Sequence, residues 1–416
     1  MQNDKLKKII PIIIIFVLIG LGVLAYFLFF RGTNINTDPN LPISGDIDNN
    51  NGNQGNNNNN NGTTGGTAGD NGNNNGNNTG GAFKPQLRLV SETPTSGGVT
   101  FNKEGKDYTR FIERAKGNAY ETEAKNIRPQ RLTTNTIPQI YNAYWTKNGD
   151  QLVGQYLRDQ EKVQTFLGSV KDKTGGNGEL QTQFLNATVG DVIFSPNNSQ
   201  IAYINQSEIG SSIITSNLSL QQKLEIFSSP LNDWLIDWPE QNYLIISSKP
   251  AKDIDGLSQT VNLKTGEEKL VLSDKKGLTT LYSSDLKRVL HSESNKNSFD
   301  SYILNIETNQ SFPFRFNTLP EKCVWSQIEK TTLFCAVPET IPTGDYPEDW
   351  YLGTKSFKDE MWKTNISTGE TVFLTNLSND AGEDVDAYKM SLSSNEKFLT
   401  FLNKNNLKLY TLQIVE

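Results

Sequence analysis

Hydrophobic positions along this chain fall into three regimes. From Ile9 to Phe30 they are unbroken, 22 residues without a charged side chain. At about 1.5 Å rise per residue this run crosses a hydrocarbon core of roughly 30 Å, so it predicts one transmembrane helix. Pro11 falls in its first turn, where a missing N–H costs little. From Gly45 to Ala82 apolar positions all but vanish, and 16 Asn and 11 Gly occupy 38 residues. Such a stretch cannot bury enough apolar surface to offset the entropy of ordering it. The third regime, residues 85–416, alternates short apolar strands with polar turns.

Charge orients the first regime. Lys5, Lys7 and Lys8 precede the apolar run and only Arg31 follows it closely, which predicts a cytoplasmic segment at 1–8 and an extracytoplasmic remainder. A cleaved signal peptide would want an apolar region of about 7–15 residues ending in small side chains. This run is longer and ends Tyr26-Phe-Leu-Phe-Phe30, so a retained anchor in the lipid bilayer at 9–30 is expected. Residues 31–84 then read as a flexible spacer with a coil reach of about 40 Å. Net charge is +3 over residues 1–31, −4 over 32–82 and −6 beyond. With no basic block in the soluble part, a nucleic-acid partner is not expected.

The third regime repeats. A strand ending in an aromatic or bulky residue runs into a polar turn and then a second apolar strand. The instances begin at Phe101, Trp145, Phe194, Trp238, Tyr282, Trp325 and Leu392, spaced by 44, 49, 44, 44, 43 and 67 residues. A period near 44 with several short strands per repeat predicts the blades of a β-propeller. A second landmark agrees: Asn262-Leu-Lys-Thr-Gly, Asn305-Ile-Glu-Thr-Asn and Asn365-Ile-Ser-Thr-Gly read as one hairpin turn reused. It follows the preceding aromatic by 24, 23 and 40 residues, which places an insertion of about 16 residues, roughly Pro338 to Ser356, in the sixth repeat.

At Phe194-Ser-Pro-Asn-Asn-Ser-Gln-Ile-Ala-Tyr203 the chain resembles the Ser-Pro-Asp-Gly-x-x-Ile-Ala-Tyr motif of TolB-type propeller repeats, relatives of the WD-repeat propellers. Asn-Asn stands where that motif has Asp-Gly, and the other repeats diverge further. The resemblance covers residues 86–416 and implies a fold, not an activity. The anchor, low-complexity spacer and single propeller are also similar in layout to uncharacterised bacterial membrane proteins.

The expected fold is therefore all-β: one propeller at 85–416, of seven four-stranded blades, behind one transmembrane helix. The last repeat supplies only three strands, near Asp384–Met390, Phe398–Leu402 and Leu407–Val415. Gln86–Ser91, ahead of the first repeat, is the expected fourth strand, closing the ring and hiding two edges.

Catalytic chemistry finds little support. His291 is the only histidine, so a triad or a His-rich metal site would depend on it, and it reads as an ordinary strand residue. No G-x-S-x-G elbow, phosphate loop or paired C-x-x-C occurs, and no cofactor is expected. The acids Asp380, Glu383, Asp384 and Asp386 could hold calcium, but a solvated loop is the preferred reading. Trp145, Trp238 and Trp325 share one repeat position, which packing between blades explains. Trp234 lies outside that position, near the start of an inner strand, where propeller channels open; it is a candidate binding residue, with core packing the preferred alternative. The insertion supplies the others: Asp345, Tyr346, Asp349, Trp350 and Tyr351, aromatics and acids on a proline-stiffened loop suited to a partner, unless the loop folds down and packs on its own scaffold. Cys323 and Cys335, the only cysteines, flank the first turn of the sixth repeat and are expected to pair across it, as an extracytoplasmic location permits. These features together suggest a non-catalytic binding or scaffolding module for a protein or glycan. The alternative is a glycan-active hydrolase or lyase, which two carboxylates about 5–10 Å apart in the channel would mark.

Overall fold

The repeated turn owes its shape to one hydroxyl. Thr146, Ser195, Ser283 and Ser393, each one residue after a repeat aromatic or Leu392, accept a hydrogen bond from the backbone N–H five residues on, at 3.0–3.1 Å. Three residues after each hydroxyl the backbone turns left-handed: Gly149 (φ 72°), Asn198 (φ 58°), Leu286 (φ 54°) and Glu396 (φ 52°). Glycine suits that position best and asparagine tolerates it, which is why Asn198 can replace the motif's glycine. The second landmark is an Asx turn: the Oδ1 of Asn262, Asn305 and Asn365 accepts from the two N–H groups that lie two and three residues ahead.

These hairpins assemble into seven four-stranded antiparallel sheets in a computed structural model that describes residues 84–126, 128–158, 162–171 and 178–415. The expected membrane span at 9–30, and the spacer up to residue 83, lie outside the described residues. Among the described residues no helix is long and apolar enough to cross a membrane. The innermost strands of blades 1 to 7 are Thr95–Lys103, Ile140–Trp145, Thr188–Phe194, Trp234–Glu240, Thr279–Tyr282, Cys323–Trp325 and Ala387–Leu392. Every repeat landmark sits at or near the end of one of them. Gln86–Ser91 is the outer strand of blade 7, pairing antiparallel with Leu409–Gln413 so that Leu87 faces Leu412 and Leu89 faces Tyr410. The ring is closed by its own N-terminal strand.

Each sheet is covered on both faces by its neighbours, so the second strands read as near-continuous buried runs, such as Ile201–Ile204 and Phe398–Asn403, rather than alternating ones. One apolar cluster fills each of the seven gaps between blades, and an eighth, built on Phe299, Tyr346, Trp350 and Phe357, lies beneath the insertion. The first strand of blade 7 begins at Ala387, not Asp384 as the pattern suggested, because Val385 and Asp386 are already committed to the core beside it. The insertion runs from 339 to 358, since Pro338 still belongs to the second strand of blade 6. It carries a short helix, α1 (Glu348–Leu352). A second, α2 (Leu377–Ala381), leads toward blade 7. Cys323 and Cys335 lie opposite each other in the first two strands of blade 6 and are disulfide-bonded.

Candidate functional site

Inner strands of neighbouring blades belong to separate sheets, and side chains tie them. The Trp145 indole N–H donates to the Gly97 carbonyl of blade 1 at 3.2 Å, and that of Trp325 to the Leu281 carbonyl of blade 5 at 3.1 Å. Asp191 links blades 3 and 4: its two oxygens accept from Val192 N–H at 2.8 Å and Ile236 N–H at 3.1 Å. Lys389 of blade 7 reaches Asn142 Oδ1 of blade 2 and lies 3.4 Å from the Ser96 carbonyl oxygen of blade 1.

Between these ties the axis is open. A cavity of about 420 Å³ is lined by aromatic side chains, among them Tyr144, Trp145, Trp238, Tyr282 and Trp325. It extends to the first hairpin turns of the blades at Lys147, Ser284 and Gln327, the end away from the insertion. Three charged residues line it: Lys147 at that end, and Asp237 and Lys389 on inner strands. Asp237 and Lys389 sit at irregularities of the ladder, where an extra residue re-aims side chains. Lys389 is itself left-handed, with φ 51°.

Burial shapes the protonation of these groups. Asp237 is pushed up to about 6 by desolvation, with the nearby Asp191 charge adding to it, while one hydrogen bond from Trp238 N–H at 2.8 Å works against the shift. Desolvation also raises Asp191, against the pull of its two backbone donors. Lys389 is lowered to about 8 by desolvation and by the neighbouring Arg114. Tyr144 and Tyr282 are raised by burial, and each also feels a carboxylate, Asp191 and Asp237 respectively.

The residues singled out from sequence lie elsewhere. Trp234 opens the inner strand of blade 4, yet its ring is packed edge-on against Phe227 at 5.4 Å in the core between blades 3 and 4, not at the channel mouth. The insertion folds down onto its own scaffold. Tyr346 is fully buried against Phe299 and Phe357, at 5.2 and 5.8 Å between ring centroids. Trp350 is buried too, and its indole N–H donates to Asp386 Oδ2 at 2.9 Å. Asp349 closes the loop by accepting from Asp345 N–H and the Thr354 hydroxyl, both at 2.8 Å. Asp345 is exposed and ion-paired with Lys252 of blade 4, and the half-exposed Tyr351 donates its hydroxyl to Glu321. These contacts turn the loop into a strap from blade 4 to blade 7.

Beneath the strap lies a buried ion cluster that sequence reasoning missed. The Lys322 ammonium, fully buried, contacts Asp359 Oδ2 at 2.7 Å, Asp386 Oδ1 and the Ala387 carbonyl at 3.0 Å. Burial alone would lower its pKa, but the two carboxylates outweigh that and raise it. Desolvation drives Asp359 up to about 6 despite the ammonium. The acidic segment at 380–386 is thereby dispersed and is not a solvated loop throughout. Asp380 accepts from the Thr375 hydroxyl, Glu383 binds Lys408 and Tyr410, Asp384 pairs with Lys358, and Asp386 belongs to the cluster. His291 is a buried strand residue of blade 5, stacked on Tyr302 at 5.4 Å and 3.2 Å from the Ser311 hydroxyl. Burial lowers it to about 4.

No family model matches the chain, and no curated protein matches it in sequence. Solved structures do match. The tricorn protease aligns with a TM-score of 0.50 at 10% identity, over 79% of this chain and 34% of that one, so the chain spans about a third of it. An oligogalacturonate lyase in complex with manganese gives 0.47 at 11% identity, over 80% and 98% of the two chains. TolB from Acinetobacter baumannii gives 0.40 at 13%, over 76% and 78%. At these identities the likeness is one of fold alone.

Proposed function

We propose that the chain is a membrane-anchored, extracytoplasmic binding or scaffolding module that holds a protein or glycan partner at its central channel. The observation that supports this is the aromatic cavity of about 420 Å³ on the axis. Its volume falls in the range of roughly 300–1,000 Å³ typical of ligand sites, and rigid blades supply its walls. The insertion, its aromatics spent on internal packing, offers far less. The anchor reading rests on the apolar run at 9–30 and the lysines before it.

A second reading, carboxylate chemistry on a glycan, draws on the closeness of Asp191 to Asp237 and the raised pKa of the latter. Against it, both oxygens of Asp191 are committed to backbone N–H groups, leaving one carboxylate where two are needed. Affinity capture with the full chain tests the binding reading. Ser391 lines the cavity, so Ser391→Trp fills it. A partner retained by the native chain and lost with Ser391→Trp is the expected result, and equal retention removes the channel from the account.

A further inference from the structure

Lys389 of blade 7 and Asp237 of blade 4 enter the cavity from nearly opposite walls of the seven-bladed ring, and neither meets an opposite charge. The Lys389 ammonium has neutral neighbours: Asn142, the Ser96 carbonyl, and the rings of Tyr144 and Tyr388 at 5.3 and 5.9 Å. Asp237 accepts one backbone N–H, that of Trp238. Neither forms an ion pair among the described residues. Each wall also carries a second charge of its own sign, Arg114 beside Lys389 and Asp191 beside Asp237. Tyr144 stands between the two ends, near the Lys389 ammonium and sensing the Asp191 charge.

Uncompensated charges in a desolvated site are costly, and a ring needing only a packed axis would do better with apolar residues there. Here both charges sit beside the ladder irregularity that recurs on the inner strands, and at Lys389 the backbone is also left-handed. We propose that the channel binds a small apolar zwitterion of the amino-acid or dipeptide class, with its carboxylate on Lys389 and its ammonium on Asp237. Its side chains lie against Trp145, Trp238 and Trp325. This rests on the channel being a binding site and assigns it a small ligand beyond the protein or glycan partner. With Lys389 at about 8 and Asp237 at about 6, both groups are mainly charged at neutral pH and ready for charge-assisted hydrogen bonds.

Calorimetric titration of the full-length chain with leucyl-phenylalanine tests the proposal, alongside its N-acetyl form, its C-terminal amide and the doubly blocked form. The free dipeptide is expected to bind, and blocking either end to weaken binding about tenfold or more. Lys389→Met should erase only the preference for a free carboxylate, and Asp237→Asn only that for a free amine, a selectivity that simple misfolding does not produce. Equal binding of the free and doubly blocked forms overturns the proposal, as does binding of neither. In both cases the effect of Ser391→Trp on partner capture still reports separately on whether the channel is a binding site.

Discussion

Asp237 carries a charge that the fold does not compensate, and stability should register it. Its folded pKa of about 6 lies above the ordinary value of 3.8, so the folded chain holds this proton where the unfolded chain has lost it. Stability therefore falls as pH rises from about 4 through 6, and the cost is fully present above that window. Asp237→Asn keeps an acceptor for Trp238 N–H and removes the charge. Urea melts should show the variant more stable than the native chain by about 1–3 kcal/mol at pH 8, with little difference at pH 3. A loss of stability at pH 8 would mean that an unseen cation already neutralises Asp237. Lys322 behaves oppositely, because its ammonium serves two buried carboxylates. Lys322→Met leaves both uncompensated and is expected to cost about 3–5 kcal/mol at pH 7, read from the same melts. Neither residue was legible in the sequence. Period-two patterning does not reveal a ladder irregularity, and nothing in the spacing ties Lys322 to Asp386.

At the level of elements, the turns were the most legible part. An aromatic followed by a hydroxyl and a left-handed residue encodes its hairpin locally, and so does the Asx turn at Asn262, Asn305 and Asn365. The closing strand was readable from a deficit, three strands where four were due. The direction of the insertion was not legible, because aromatics on a proline-rich loop look the same whether they face a partner or a core. What decides is the ion cluster beneath Trp350, assembled from residues far apart in the chain. For Trp234, binding and core packing were both open from sequence: its place at the start of an inner strand is as read, and Phe227 of the preceding blade covers it. Closure itself makes a prediction. Deleting residues 84–92 removes the strand that covers Leu412 and Tyr410 and leaves an unpaired edge at Leu409–Gln413. A clear drop in melting temperature and concentration-dependent association are expected, whereas deleting residues 45–80 should leave the melting temperature unchanged. Equal tolerance of the two deletions would contradict the role given to Gln86–Ser91.

For the whole molecule, a ring with an aromatic cavity on its axis follows an N-terminal apolar run preceded by lysines. Seven blades sandwiched face to face bury the inner and second strands, and the cavity on the axis is where the proposed ligand is held. The disulfide between Cys323 and Cys335 suits an oxidising compartment. The central claim is that this ring is displayed outside the cell membrane, and where its axis meets a ligand depends on that claim. Protease added to intact cells measures it most directly, followed by detection of the propeller in the cell-bound and released fractions. The account predicts that the propeller is shaved from the surface, with cleavage in the Asn- and Gly-rich residues 45–82. A propeller that stays cell-bound and intact until the membrane is permeabilised would contradict it.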